Sequence, residues 1–516
     1  MERTRRYPLA WLLIFGVVLA LDWSTTTLSQ TRPQAGISES SADVTQTLRQ
    51  LPDGQRWIQH LNDDLLPFWT MKEALGDPEG NFPTYRCNDG SLYNPAKPCV
   101  ELSDPDPMIK SIIHLDRDYV RMKARQVFAY GVAYHMTGEA KYLKIAREGY
   151  DFLRQKALRW DGSGSAGACS YFSGPQNDCK PERLERTSQD LAYAATGIAF
   201  YYYLTRDPLV LSELEALKEY IFRTYYDLAR DSMAWVKQAS RDNDNPDPGD
   251  NPDQIELVAQ LDQVYAYMIW TAPTLPSRER ILWKEDLRHL ARIMVDQFYS
   301  PRTGLLWGSV TDVAHRKLGT DHMDFGHSVK AMWMIYEIGK LTGDVALEDF
   351  GRTHASKILE LAYIPETGSW ARRFNADGTV DQDKEWWILC ELDEVAGTLA
   401  LIDPAYAEYL LKTYAYWFSY MVDHKDHEIW HWVKADNRPN MRIPKQHSWK
   451  NGLHSFEHAL VGYIICQQIH NKPVTLYFAF AKRPPQDEIQ PYLFQGKVQS
   501  VESTSTGDKV VFTSVR

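Results

Sequence analysis

None of the six cysteines in this 516-residue chain falls in a C-x-x-C arrangement, so neither a zinc knuckle nor a thioredoxin-type redox pair is indicated. No H-E-x-x-H string occurs. No basic stretch occurs either, and 57 Lys+Arg against 68 Asp+Glu give a net charge of −11, which argues against binding that rests on phosphate neutralisation. A fixed repeat length is missing too, which disfavours an open solenoid of TPR or HEAT type. The apolar run from Leu9 to Leu21 is too short for a comfortable membrane span. Following MERTRR, it has the pattern of a secretory signal. No clear A-x-A cleavage site and no lipobox cysteine accompany it, so residues 1–30 read as a signal peptide or an uncleaved N-terminal anchor. The expected location is periplasmic or secreted. Cysteine placement agrees with export: Cys87 and Cys99 bracket one Gly/Asn/Pro loop, Cys169 and Cys179 another, and two short-range disulfides are expected. Cys390 and Cys466 sit in apolar helical runs and read as buried free thiols.

What the chain does have is aromatic side chains, with 17 Trp, 29 Tyr and 18 Phe. Most belong to a core, although such a load also suits stacking on sugar rings. Residues 31–50 read as a polar linker. From 51 to 472 the chain is a series of amphipathic segments at helical period, near 54–75, 112–136, 141–158, 187–205, 208–231, 254–271, 277–297, 327–343, 346–360, 386–401, 404–421 and 453–470. Short turns such as TGEA (137–140), TRDP (205–208) and TGDV (342–345) join neighbours into helical hairpins. Six hairpins can close into a double ring, so the fold class is all-α, an (α/α)6 barrel of about twelve helices. Longer inserts alternate with the short turns and should gather at one mouth, where a pocket would form. Residues 473–516 alternate at period 2 and read as a short β-rich C-terminal extension, an accessory to the barrel.

Three strings could carry chemistry. In TDHMDFGHSVKAMWMIYE, His327 stands in the first turn of a helix, where the macrodipole favours the neutral, basic imidazole. In KQHSWKNGLHSFEHALVGYI, Trp449 and Lys450 precede His454, with Glu457 one turn on and His458 at i+4, a spacing open to acid/base work or, with a third ligand, to metal. In QDKEWWILCELDEVAGTLAL, Trp386 and Trp387 precede Glu391, indole faces beside a carboxylate that can anchor hydroxyls. Asp393 and Glu394 are assigned to a solvated or helix-flanking face.

Together these strings resemble the N-acylglucosamine 2-epimerase superfamily, which includes cellobiose 2-epimerases and mannose-type aldose–ketose isomerases. Its G-H-D-x-E-x-x-W-L-L pattern is similar to Gly326 through Trp333, its W-W-x-x-x-E to Trp386, Trp387 and Glu391, and its W-K-x-x-Y-H-x-x-R to Trp449, Lys450 and His454. An early R-x-x-W/F motif resembles Arg125 to Phe128, and the likeness runs in order over about 55–470. The resemblance implies an (α/α)6 barrel and a metal-free, cofactor-free proton transfer beside the aldehyde of an open-chain sugar. His327 and His454 would be the acid/base pair, Arg125 would steady the enolate oxygen, and Trp386, Trp387 and Glu391 would position the sugar, with Lys330, Glu457, Trp449 and Asp262 also lining the substrate site.

The pattern is broken at three places. The family glutamate after the first histidine is Lys330, and the family arginine after the second is Glu457. If the two face each other, the swap preserves an ion pair of reversed polarity, closer than roughly 4 Å. The N-x-H-x-H-x-x-E helix of cellobiose epimerases is represented by NPDQIELVAQLDQVYAYM, which has no histidine, with Asp262 in the acidic position. RDNDNPDPGDNPD (241–253) lacks calcium-loop spacing and reads as a turn-rich loop, and HKDHEIWHW (424–432) as a polar loop bordering the pit. The expected partner is a small carbohydrate, with no nucleic acid, membrane contact only through the N-terminal segment, and a monomer or homodimer. Two rival readings stand beside the exported epimerase or isomerase. One is a glycan-cleaving hydrolase or lyase using carboxylates in the same pit (Glu457 with Glu391, Asp262 or Asp324); the other is a non-catalytic sugar-binding barrel.

Overall fold

Several segments of this chain are apolar around most of their circumference, and such a helix is stable only when protein surrounds it. The computed structural model describes residues 41–160, 166–173, 178–179, 187–236 and 254–516. It sets six of these segments in a ring: Val120–Thr137, Ser188–Thr205, Leu257–Gln263 continuing to Thr271, Phe325–Thr342, Trp386–Ala400 and Leu453–Ile469. Each touches the next, and the sixth touches the first, so the ring is closed. Six amphipathic segments sheathe it, at Gly54–Gln59 running on to Trp69, Ala140–Phe152, Pro208–Tyr225, Ser277–Ile293, Val345–Ala362 and Ala407–Tyr416. Ala140–Phe152, for example, buries Tyr142, Ala146, Gly149 and Tyr150, one stripe at helical spacing. The all-α (α/α)6 barrel is therefore the observed architecture.

The expected turns have the expected chemistry. Gly138, Arg206 and Gly343 adopt left-handed backbone at the ends of inner helices, and Asp207 and Asp344 then cap the outer helices that follow. A close helix approach explains one glycine: a Cβ on Gly197 would meet the Ala124 carbonyl oxygen at 2.4 Å, between the first and second inner helices. After the outer helices the chain makes small antiparallel pairings, such as Tyr226–Asp227 with Ser232–Met233, Tyr363–Ile364 with Ser369–Trp370, and the bridges Tyr299 to Leu306 and Val422 to Ile429. These short pairings lead the inserts back to the start of the next inner helix, which places the mouth at the inner helices' N-terminal ends. The helix expected from 112 begins only at Val120, because 117–119 pair as a strand with 171–173. Likewise the segment expected to reach 231 ends at Tyr225, where the chain turns into a two-stranded pairing.

Ser41–Gln50, read above as linker, is helical and touches the outer helix Ala407–Tyr416. Cys87 and Cys99 are disulfide-bonded. Cys169 is disulfide-bonded as well, while the Cys179 side chain, the N-terminal apolar run and the acidic loop 241–253 lie outside the described residues. Cys390 and Cys466 are buried free thiols. No helix among the described residues is long and apolar enough to cross a membrane.

The extension forms an antiparallel three-stranded sheet in which Gly507–Thr513 lies between Val474–Phe478 and Lys497–Thr504. It closes the far end of the ring: the Tyr134 hydroxyl donates to the Phe478 carbonyl at 2.8 Å, and His135 Nδ1 lies 2.8 Å from the Tyr477 carbonyl. Burial lowers the His135 pKa to about 3. Between that value and the ordinary value near 6.5 the unfolded chain holds a proton that the folded chain lacks, so stability must fall as pH drops through this window. In denaturant unfolding between pH 4 and 6, His135→Gln is expected to reduce the slope of stability against pH by about 1.4 kcal/mol per unit. An unchanged slope would show that His135 is not the buried neutral group.

Candidate active site

A histidine in the first turn of a helix can share its N-cap. Asp324 caps the fourth inner helix by accepting from the His327 backbone N–H at 2.7 Å, and its other oxygen lies 2.7 Å from His327 Nδ1. Nδ1 therefore carries the proton, and the ring presents the Nε2 lone pair. Gly326 makes room for the neighbour: a Cβ there would meet the Trp387 ring at 2.6 Å. The Trp387 ring centroid lies 4.6 Å from that of His327 and 6.1 Å from that of His454. One indole thus borders both imidazoles, brought from the fourth and sixth inner helices to one neighbourhood.

His454 is nearly buried. Its Nδ1 lies 3.4 Å from Glu391 Oε1 and 3.3 Å from the Tyr265 hydroxyl, whose ring lies 13° from parallel to the imidazole. Burial holds its pKa well below 6.5, and the charges of Lys330 and Arg125 push the same way, so the imidazole is neutral at physiological pH. Arg125, from the first inner helix, donates to the Trp449 carbonyl at 3.1 Å and stacks its guanidinium 3.5 Å from the Tyr193 ring centroid. Its Nε is buried without a hydrogen-bond partner among the described residues, as is Trp386 Nε1. The Trp449 side chain itself is exposed, and Trp386 packs on His431 at 4.5 Å.

The reversed ion pair has a different partner from the one expected. Lys330 does not pair with Glu457; its Nζ sits 2.6 Å from Glu391 Oε1 and 3.9 Å from the Tyr265 ring centroid. Glu457 instead accepts from the hydroxyls of Tyr265 and Tyr492, the latter at 2.6 Å. The physical reason is position around the ring. Lys330 and Glu391 sit on adjacent inner helices, the fourth and fifth, while Glu457 on the sixth meets a tyrosine of the third and one of the C-terminal extension. Glu391 is fully buried, held by the lysine rather than open to a ligand along its length. Asp262 accepts from Gln189 at 2.7 Å and from the Tyr193 hydroxyl at 3.0 Å.

Asp393 and Glu394 are buried, contrary to the solvated face assigned above, because the fifth inner helix is enclosed on all sides. Asp393 accepts from Trp370 Nε1 at 2.7 Å; burial and the neighbouring Glu457 and Glu391 raise the Glu394 pKa far above its usual range, so it is a neutral acid. The i, i+4 pair His454 and His458 does not form one metal site: His458 lies 3.2 Å from Asp393 and packs on Trp417 and Trp57 between the two helix layers. The loop 424–432 is also less polar than expected, since His431 is buried and its Nδ1 lies 2.7 Å from His447 Nε2.

Several residues of this site escaped the sequence reading. His322 stands 5.0 Å from His327 between ring centroids, its Nδ1 3.0 Å from Glu256; burial lowers its pKa, but the bond and charge of Glu256 outweigh that and raise it overall. Lys450 was singled out in the sequence, but its partner was not: it forms a second buried ion pair with Glu428 at 2.9 Å, which Trp69 and Ser455 complete with hydrogen bonds to the same carboxylate. The spacing D-x-x-H would have flagged Asp324 as a cap. Nothing local marks Tyr265 or Tyr492.

Removing one member of a buried pair leaves a charge uncompensated. Lys330→Met is expected to destabilise the protein by about 3–5 kcal/mol, and the double variant Lys330→Met with Glu391→Leu to recover part of that loss in denaturant unfolding. Equal or additive losses would show that the two do not act as a pair.

No family model matches the sequence, and no curated protein matches it. Solved structures do. Cellobiose 2-epimerase from Bacillus thermoamylovorans is 17% identical with a TM-score of 0.63, over 80% of this chain and 98% of that one. Cellobiose 2-epimerase from Spirochaeta thermophila is 18% identical with a TM-score of 0.64, over 82% and 98%. A D-mannose isomerase is 15% identical with a TM-score of 0.58, over 83% and 98%. A closed double ring of helices with its inserts at one mouth is thus the fold that this chain shares with sugar 2-epimerases and an aldose isomerase.

Proposed function

We propose that this protein is an exported sugar epimerase or aldose–ketose isomerase that moves a proton at carbon 2 of an open-chain sugar. The observation that carries the reading is the pair His327 and His454, which border one indole and each have an acceptor beside Nδ1, leaving Nε2 as the basic nitrogen. A C–H beside an aldehyde is acidified by enolate resonance, and a neutral imidazole near it can remove the proton. For inversion the second imidazole enters the step protonated on both nitrogens and gives its Nε2 proton to the opposite face of carbon 2, so the two rings exchange protonation states in one turnover; delivery of the abstracted proton to carbon 1 gives the ketose. Arg125, with its Nε unsatisfied, is suited to stabilise the enolate oxygen by a charge-assisted hydrogen bond. Trp387 offers an aromatic face to the sugar, and Trp386 Nε1 a donor.

The carboxylates that hydrolysis would need are engaged elsewhere. Glu457 is taken by two tyrosines, Glu391 by Lys330, Asp262 by Gln189 and Tyr193, and Asp324 by His327. The Cys87–Cys99 disulfide suits an oxidising compartment, in keeping with export.

The test is incubation of the purified protein with mono- and disaccharides in D2O. Deuterium at carbon 2, detected by NMR, is expected without new reducing ends, and His327→Asn or His454→Asn should each slow its appearance by about 10²–10⁴-fold. New reducing ends without deuterium at carbon 2 would replace this reading with glycan cleavage.

A further inference from the structure

We propose that the C-terminal extension belongs to the site: Tyr492, acting through Glu457 and Tyr265, fixes the His454 imidazole in the tautomer that carries its proton on Nδ1 and its lone pair on Nε2. This rests on the reading of His454 as a base, and makes Tyr492 and Tyr265 positioning residues.

Glu457 presents two oxygens; Oε1 accepts from the Tyr492 hydroxyl at 2.6 Å and Oε2 from the Tyr265 hydroxyl. A phenol has one proton to give, and that of Tyr265 goes to the carboxylate. Its oxygen can then only accept from His454 Nδ1, 3.3 Å away. The other neighbour of Nδ1, Glu391 Oε1 at 3.4 Å, is an acceptor too. Both contacts call for an N–H at Nδ1.

The arrangement reverses if Glu457 takes a proton. Oε2–H would then donate to the Tyr265 oxygen, the phenol proton would turn to His454 Nδ1, and the ring proton would move to Nε2, where a base needs its lone pair. Whether Glu457 stays ionised depends on what faces it: Tyr265 from the third inner helix, Lys330 from the fourth, Glu391 and Glu394 from the fifth, His454 on its own helix, and Tyr492 from the extension. Burial favours the protonated acid, while the two hydroxyls and Lys330 favour the carboxylate. Among the described residues, Tyr492 is thus one of two hydroxyls that hold the charge in place.

The extension delivers this hydroxyl with little freedom. The Tyr203 hydroxyl donates to the Gln490 carbonyl at 2.6 Å and accepts from the Tyr492 N–H at 2.8 Å, and the Tyr492 ring packs beside Trp270, Phe128 and Phe200. Tyr492 holds φ at 60°, a left-handed backbone that a non-glycine residue adopts at a cost of about 1 kcal/mol or more. The clamp at Tyr203 maintains it.

The experiment uses the full chain labelled with 15N-histidine, reading the His454 tautomer by long-range 1H–15N correlation at pH 7.5, with His454→Asn to assign the signal. The wild type is expected to show Nδ1–H. Tyr492→Phe should shift the signal toward Nε2–H, move the acid limb of carbon-2 exchange upward by about one pH unit, and lower kcat by about tenfold or more with KM little changed. Glu457→Gln, with Tyr492 intact, mimics the protonated acid and should give the same tautomer. An unchanged tautomer in both variants overturns the proposal, as does Nε2–H in the wild type. If the tautomer shifts as stated but the wild type exchanges no deuterium at carbon 2, the relay stands and the epimerase reading fails.

Discussion

A ring of helices sheathed by a second ring excludes water from its inner wall, and every polar group there must find its partner inside the protein or give up its charge. The barrel meets this constraint repeatedly. Lys330 is neutralised by Glu391, and Lys450 by Glu428 with Trp69 and Ser455. Asp262 is held by a glutamine and a tyrosine, and Glu457 by two tyrosines. Glu394, with no hydrogen-bond donor among the described residues, is left as a neutral acid. Chemistry at the mouth inherits this dry, partnered surrounding, in which a fixed dipole or charge acts more strongly than it would in water.

The same constraint explains why the two ends of the ring differ. At the inner helices' N-terminal ends, inserts threaded through small antiparallel pairings leave room between them, and the first-turn residues Trp387, His327 and His454 meet there. At the other end the extension covers the helix termini, taking the hydroxyls of Tyr134 and Tyr203 and the imidazole of His135. A segment that looks like an appendage in sequence therefore supplies both a lid for the closed end and a hydroxyl to the buried carboxylate of Glu457.

The inverted signs at Lys330 and Glu457 show how a buried electrostatic pattern can be rebuilt without being mirrored. The two positions do not trade partners; each joins a different set, Lys330 with the glutamate of the adjacent helix and Glu457 with tyrosines. Tyr265 ties the sets together, since its ring lies under the ammonium and its hydroxyl bridges Glu457 and His454. In a low-dielectric interior what counts is that each charge is compensated, and a phenol can do for a carboxylate what a guanidinium would otherwise do.

Much of this was legible in the sequence. Helical periodicity, the left-handed turns at Gly138 and Gly343, and the alternation of short turns with long inserts are local signals, set by side-chain spacing and backbone sterics, and they led to the double ring. First-turn histidines before apolar helices were likewise visible, as was the tryptophan pair. Which carboxylate meets Lys330, that the fifth helix has no wet face, and that Tyr492 reaches Glu457 across 35 residues of chain were not, because they depend on how helices are packed against one another. Spacing along a chain specifies which side of its own helix a residue occupies; only packing around a closed ring decides what stands opposite.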